Sequence, residues 1–162
     1  MGIEIERKFL VSNDNWRSSI TSHQEMVQGY LNLEGNSVVR VRIASNRAWI
    51  NIKGATIDIR RREYEYPIPI DDAREIMDHL CAGPAIEKRR YYVPIRGHVY
   101  EVDEFLGANE GLVVAEIELS DEREAFERPE WLGAEVSHDP RYLNVSLVRH
   151  PYSEWTASER NR

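Results

Sequence analysis

Eight stretches of this chain alternate with period two, and their charged residues are sorted by stretch rather than mixed. In the first, Ile3 to Val11, successive side chains of a strand point to opposite faces. Glu4, Glu6 and Lys8 therefore share one face, and Ile3, Ile5, Phe9 and Val11 take the other, with Arg7 the exception. The pattern repeats through His23–Leu33, Val38–Ala44, Ala48–Lys53, Ile57–Ile70, Ala85–Ile95, Val99–Leu106 and Leu112–Ser120. Acid pairs in one phase mark the fifth stretch (Glu63, Glu65, with Arg61), the seventh (Glu101, Asp103) and the eighth (Glu116, Glu118). Bases in one phase mark the third (Arg40, Arg42), the fourth (Lys53) and the sixth (Lys88, Arg90).

Eight such segments with tight turns and few helices predict an antiparallel sheet closed into a barrel, an α+β chain that is mainly β. Apolar faces turned inward would leave every charge on a solvated surface, but such surfaces usually mix signs within a strand. Sorting by strand suggests instead a polar lumen, with the apolar faces outward and covered by helices. Pro67 and Pro69 place the end of the fifth stretch at a sheet edge or bulge. Helices are expected at Asp71–Leu80 and from Ser120-Asp121-Glu122 to Pro129, with a helical turn near Trp16. From Trp131 the chain reads as irregular or helical.

A length of 162 residues fits one domain, assigned to residues 1–150, with 151–162 as a polar and mobile tail. No apolar run approaches a membrane span and no signal peptide is read at the start, and Cys81 is alone, so the expected setting is cytoplasmic, away from membranes. A formal net charge of −7 argues against nucleic-acid binding. The sequence leaves the oligomeric state open.

Grouped carboxylates are hard ligands suited to Mg²⁺ or Mn²⁺, and clustered Lys and Arg suit a multiply charged phosphate chain. Glu4, Glu6, Glu116 and Glu118 are the expected metal ligands. Lys8, Arg40, Arg42, Lys53, Lys88 and Arg90 are the expected phosphate contacts. Glu65 and Asp103 are candidates for a second metal, and with Glu101 they could equally orient the bases, with Glu63 as a further supporting acid. Tyr30 is a candidate catalyst beside its reading as a wall aromatic. Lys8 and Lys88 are the candidate proton acceptors. The histidines lack zinc-ligand spacing, and no phosphate loop is present.

Glu4-Ile5-Glu6-Arg7-Lys8-Phe9-Leu10-Val11 closely resembles the N-terminal ExExK signature of the CYTH superfamily, the triphosphate tunnel metalloenzymes. The resemblance continues in order through Gln28-Gly29-Tyr30-Leu31, Arg40-Val41-Arg42, Ile52-Lys53, Arg62-Glu63-Tyr64-Glu65, Glu87-Lys88-Arg89-Arg90-Tyr91, Glu101-Val102-Asp103 and Glu116-Ile117-Glu118. It implies an eight-stranded antiparallel tunnel that hydrolyses or cyclises triphosphates with Mg²⁺ or Mn²⁺. Bacterial members often carry Lys after Arg-Tyr near the C-terminus. Here Leu143 follows Arg141-Tyr142, and Arg141 is the expected substitute charge. Hydrolysis of inorganic tripolyphosphate or a small organic triphosphate is the expected activity. The alternatives are cyclic AMP formation from ATP, and a polyphosphate- or nucleotide-binding module without turnover.

Overall fold

The alternation closes on itself. The computed structural model describes residues 2–160, with strands β1 (Gly2–Val11), β2 (Ser22–Tyr30), β3 (Ser37–Ala44), β4 (Arg47–Gly54), β5 (Arg60–Ile68), β6 (Ile86–Ile95), β7 (His98–Phe105), β8 (Val113–Glu118) and β9 (Leu132–Glu135). Among the described residues the α-helices are α1 (Ile70–His79), α2 (Asn144–Arg149) and α3 (Ala157–Arg160). The order β5-β4-β3-β2-β6-β7-β8-β1 runs antiparallel throughout, and β1 returns to β5 to make an eight-stranded barrel. That seam is short, Gly2–Ile5 against Arg60–Glu63. Beyond it the far half of β1 takes β9 as its neighbour, at Phe9↔Glu135 and Val11↔Leu132, with a register shift between them. Past Glu63, β5 is paired with β4 alone, and Pro67 lies in this half, opposite Trp49, where a missing N–H on the free side costs nothing.

The apolar core lies outside the barrel wall for most of its length. Phe9, Val93, Tyr100, Val102 and Ile117 pack under Trp16 and Trp131. On another sector Ala73 of α1 packs on Val41 and Ala48. The cover is incomplete: Tyr64 and Tyr66, on the outer face of β5, remain 42% and 54% exposed, because α1 lies over β2, β3 and β4.

A further cluster fills one end of the barrel. Leu10, Ile86, Phe105 and Val114 share the parity of lumen charges on their strands, and with Tyr30 they pack with Tyr142, Leu147, Val148 and Trp155. The charged rows thus end in apolar residues, and the C-terminal segment stops the barrel there. Residues 151–160, expected as a polar tail, carry Trp155, which is 5% exposed and edge-on to Tyr142 at 5.1 Å. Residues 161 and 162 lie outside the described residues.

Two local expectations are corrected. No helix forms between Ser120 and Pro129. The Glu124 carboxylate accepts from the Ser120 N–H and hydroxyl, Asp121 Oδ1 accepts from the Arg123 N–H, and the chain then runs out to set Phe126 against Phe9 at 6.0 Å. Local side-chain bonds compete with a helix, and the aromatic contact holds the segment extended. The segment after Trp131 also forms a strand, β9, four residues without alternation. Its Gly133 lies so close to β1 that a Cβ would meet the Leu10 carbonyl oxygen at 2.9 Å. Gly133→Ala is therefore expected to lower stability by about 1–3 kcal/mol, read from urea unfolding, since the obstacle is backbone and cannot swing aside. An unchanged midpoint would contradict this packing.

Candidate active site

Bases occupy β3, β4 and β6 and acids occupy β5, β7 and β8, so opposite signs meet at β4–β5 and β6–β7, while like signs meet at β3–β4 and β7–β8, where Glu101 stands opposite Glu116. Arg90 stands opposite Asp103, Lys53 opposite Glu63, Lys8 opposite Glu116 and Glu4 opposite Arg61. Sign sorting along the sequence becomes charge pairing across the sheet. Together these rows line a cavity of about 750 Å³. Of the expected site residues Glu4, Glu6, Lys8, Tyr30, Arg40, Arg42, Lys53, Glu63, Glu65, Lys88, Arg90, Glu101, Glu116 and Glu118 are in its wall, and Asp103 and Arg141 are not.

Asp103 lies behind that wall, 0% exposed. Its Oδ2 accepts from Lys88 Nζ at 2.7 Å, and its two oxygens accept from Arg90 Nε and Nη2 at 2.7 and 2.8 Å. Arg90 and Lys88 overcome burial to hold its pKa below the usual carboxylate range. This is the orienting one of its two expected roles. Glu101 is ion-paired to Arg90 from the lumen side, and burial raises its pKa.

The cations crowd one another. Burial brings Lys88 down to about 7 even beside Asp103. Burial and then Arg40 bring Lys53 to about 8, and burial with Arg40 and Arg90 brings Arg42 to about 10. Arg40 is 4% exposed, and its Nε is buried without a hydrogen-bond partner. Buried cations without full compensation create a site that an anion relieves. For both lysines the folded pKa lies below the unfolded value of ~10.4, so in the window above about 7 to 8 the unfolded chain binds more protons. Stability therefore rises with pH through that window. In EDTA the urea midpoint should be higher near pH 9 than near pH 7, with a smaller gain in Lys53→Met. An identical pH response in the two proteins would contradict it.

The acids are crowded too. Burial, then Glu116, raises Glu6 well above the ordinary carboxyl range. Glu116 is held well below it against burial, first by Lys8 and then by a hydrogen bond from Glu6. Of this pair Glu6 is therefore the harder to ionise. Glu4, against burial, is brought to about 2 by Lys53 and Arg61. It accepts from Arg61 Nε at 3.0 Å and Lys53 Nζ at 3.4 Å. Burial, then Glu4 and Glu63, raises Glu118. Among the described residues no three His, Cys, Asp or Glu side chains stand assembled as a metal cluster. The donor set nevertheless fits a hard divalent cation: it is all carboxylate, and a cation would relieve the crowding of Glu6 against Glu116.

Several wall residues were not singled out as site residues by sequence, or only weakly. Arg61 lay in phase with Glu63 and Glu65 and so was findable. Asn51, between Arg40 and Glu65 across the sheet, donates to Glu65 at 2.6 Å, and Gln28 accepts from Arg42 Nε at 3.3 Å. Asn51 was a neutral position in the row of Lys53, and Gln28 lay on a face of β2 that carries no charge. Asn144, at the start of α2, lines the cavity, and no periodicity pointed to it. The expectation that Arg141 replaces a lysine at position 143 is corrected. Its guanidinium is bound to Asp139, donates to the Glu159 carbonyl at 3.2 Å and lies over Trp155, away from the lumen, whereas Leu143 lines it. At that end Lys8 Nζ donates to the Tyr142 carbonyl at 3.0 Å.

The family model for the CYTH domain matches residues 2–152. An inorganic triphosphatase of Acetivibrio thermocellus is 48% identical over 155 residues, covering 96% of this chain and 99% of that protein. One of Nitrosomonas europaea is 32% identical over 149 residues, covering 90% and 96%. A crystal structure of an inorganic triphosphatase aligns with 30% identity and a TM-score of 0.66, over 90% of this chain and 93% of the other. The ordered motifs, the closed barrel and these matches agree, and the chain belongs to the CYTH domain family.

Proposed function

We propose that this protein is a triphosphatase that uses Mg²⁺ or Mn²⁺ to hydrolyse inorganic tripolyphosphate in the barrel lumen. The observation that carries this reading is the pairing, in one cavity, of crowded carboxylates with buried cations, three of which, Arg42, Lys53 and Lys88, are held below their usual pKa range. The two relatives named as inorganic triphosphatases support the choice of substrate. Glu4, Glu6, Glu116 and Glu118 would hold the cation, with Glu63 and Glu65 beside them. When bound, a divalent cation supplies charge neutralisation to phosphate oxygens and a polarised water.

The chain's own residues do the rest. Arg40, Arg42 and Arg90 present fixed N–H donors to the phosphate oxygens, and Lys8 and Lys88 add ammonium charge where the transition state gathers it. Pre-arranged charge of this kind costs no reorganisation during the reaction. A water attacks a terminal phosphorus in line, forming one P–O bond as the anhydride P–O bond breaks, and pyrophosphate leaves. The water's proton goes to a lysine of the wall. Lys8 and Lys88 are each held by short bonds to protein acceptors, at 3.0 Å and 2.7 Å. Lys53 has only the longer contacts to Glu4 and Glu63, 3.4 and 3.6 Å, and its pKa near 8 suits it to accept and release that proton. Tyr30, 4% exposed, packs in the apolar end and serves as wall.

The test is product analysis with tripolyphosphate, ATP and thiamine triphosphate in Mg²⁺ or Mn²⁺. Phosphate and pyrophosphate from tripolyphosphate, at the highest kcat/KM of the three, are expected. Cyclic AMP as the main product from ATP, or binding of all three without turnover, would overturn the proposal.

A further inference from the structure

Asn144 joins the end of the barrel to its cation set. It opens α2, in the segment whose Tyr142, Leu147 and Val148 fill the apolar end. Its Oδ1 accepts from two donors on the barrel wall, Gln28 Nε2 at 2.7 Å and Lys88 Nζ at 3.0 Å. Lysine only donates, so the atom facing Lys88 has to be the amide oxygen and the orientation of this amide is fixed. Lys88 Nζ is thereby held between Asp103 Oδ2 and Asn144 Oδ1. Gln28 extends the link, since with its Nε2 committed to Asn144 its Oε1 accepts from Arg42 Nε at 3.3 Å.

Asp103 alone would draw the Lys88 ammonium back toward the barrel wall. A second acceptor on a different element fixes the direction of a side chain with many free rotamers, and that acceptor is available only when the C-terminal segment is seated. We propose that Asn144 is a positioning residue, whose carbonyl oxygen directs Lys88 at the triphosphate. This rests on the triphosphatase reading above, in which Lys88 touches substrate and Asn144 acts through it.

The test compares Asn144→Ala, Asn144→Asp and Lys88→Met, with the double variant Lys88→Met/Asn144→Ala. Asn144→Ala removes the acceptor, and kcat for tripolyphosphate should fall about 10-fold or more, the scale of a lost hydrogen bond to a charged group. Asn144→Asp keeps an acceptor for both donors, so kcat should return to within about threefold of wild type, while KM rises because the added charge repels the substrate. The double variant should be no slower than Lys88→Met, as for residues acting through one another. An unchanged kcat in Asn144→Ala, a kcat in Asn144→Asp as low as in Asn144→Ala, or multiplicative losses in the double variant would overturn the proposal. Tripolyphosphate binding in EDTA, read by calorimetry, separates this from the parent reading. Should wild type bind without hydrolysing in any metal, the triphosphatase reading fails. In that case weaker binding by Asn144→Ala, absent in the Lys88→Met background, still supports the positioning of Lys88, and equal binding overturns it.

Discussion

Asp103→Ala is expected to lower stability by about 3–5 kcal/mol, the cost of leaving buried charge unpaired, and to remove most activity with it. Asp103 is fully buried and serves two cations at once, through three bonds of 2.7 to 2.8 Å. Removing it leaves Lys88, 1% exposed, with no adjacent carboxylate, and Arg90 with only Glu101 and a 3.4 Å contact to Glu116. Asp103→Asn keeps the shape but offers one oxygen where two are used, so its loss should be smaller. Urea unfolding of the three proteins in EDTA checks this. A fold as stable as wild type, with the damage confined to metal affinity, would instead make Asp103 a ligand.

The second large effect separates activity from stability. Glu6→Gln should lower tripolyphosphate turnover in saturating metal by at least about 100-fold, the scale of losing one preorganised electrostatic contact. In EDTA the same variant should be as stable as wild type or more so. Burial, then Glu116, disfavours the charge on Glu6. A neutral amide removes a charge that the fold disfavours. Thermal melts in EDTA beside initial rates in Mg²⁺ read both halves. Parallel losses of activity and stability would contradict it.

Strand parity made most of this site legible. It told which residues share a face, and the sorting of Glu63 and Glu65 against Lys53, and of Lys88 and Arg90 against Asp103, suggested that the face is interior. Parity does not give depth. It placed Asp103 with Glu101 and Glu116, although the pairing of Arg90 directly across from it draws Asp103 into the wall. It also carried a signal left unread: Leu10, Ile86, Phe105 and Val114 continue the charged rows as apolar residues, which marks where the lumen is filled. What fills it could not be read, because Trp155, Tyr142 and Leu147 lie on segments too short to carry a period. Asn144 is invisible for the same reason, its partners Gln28 and Lys88 being 116 and 56 residues away. The absent helix after Ser120 had the right capping residues, and the contact of Phe126 with Phe9 decided against it.

Lumen carboxylates that hold a divalent cation for cleavage of a triphosphate would make turnover depend on that cation. Phosphate release from tripolyphosphate by wild type and Glu4→Gln, in Mg²⁺ or Mn²⁺ and again in EDTA, tests it most directly. Steady release by wild type with either metal is expected, with background rates in EDTA and in the variant. Release that persists in EDTA, or a Glu4→Gln protein as fast as wild type, would contradict it.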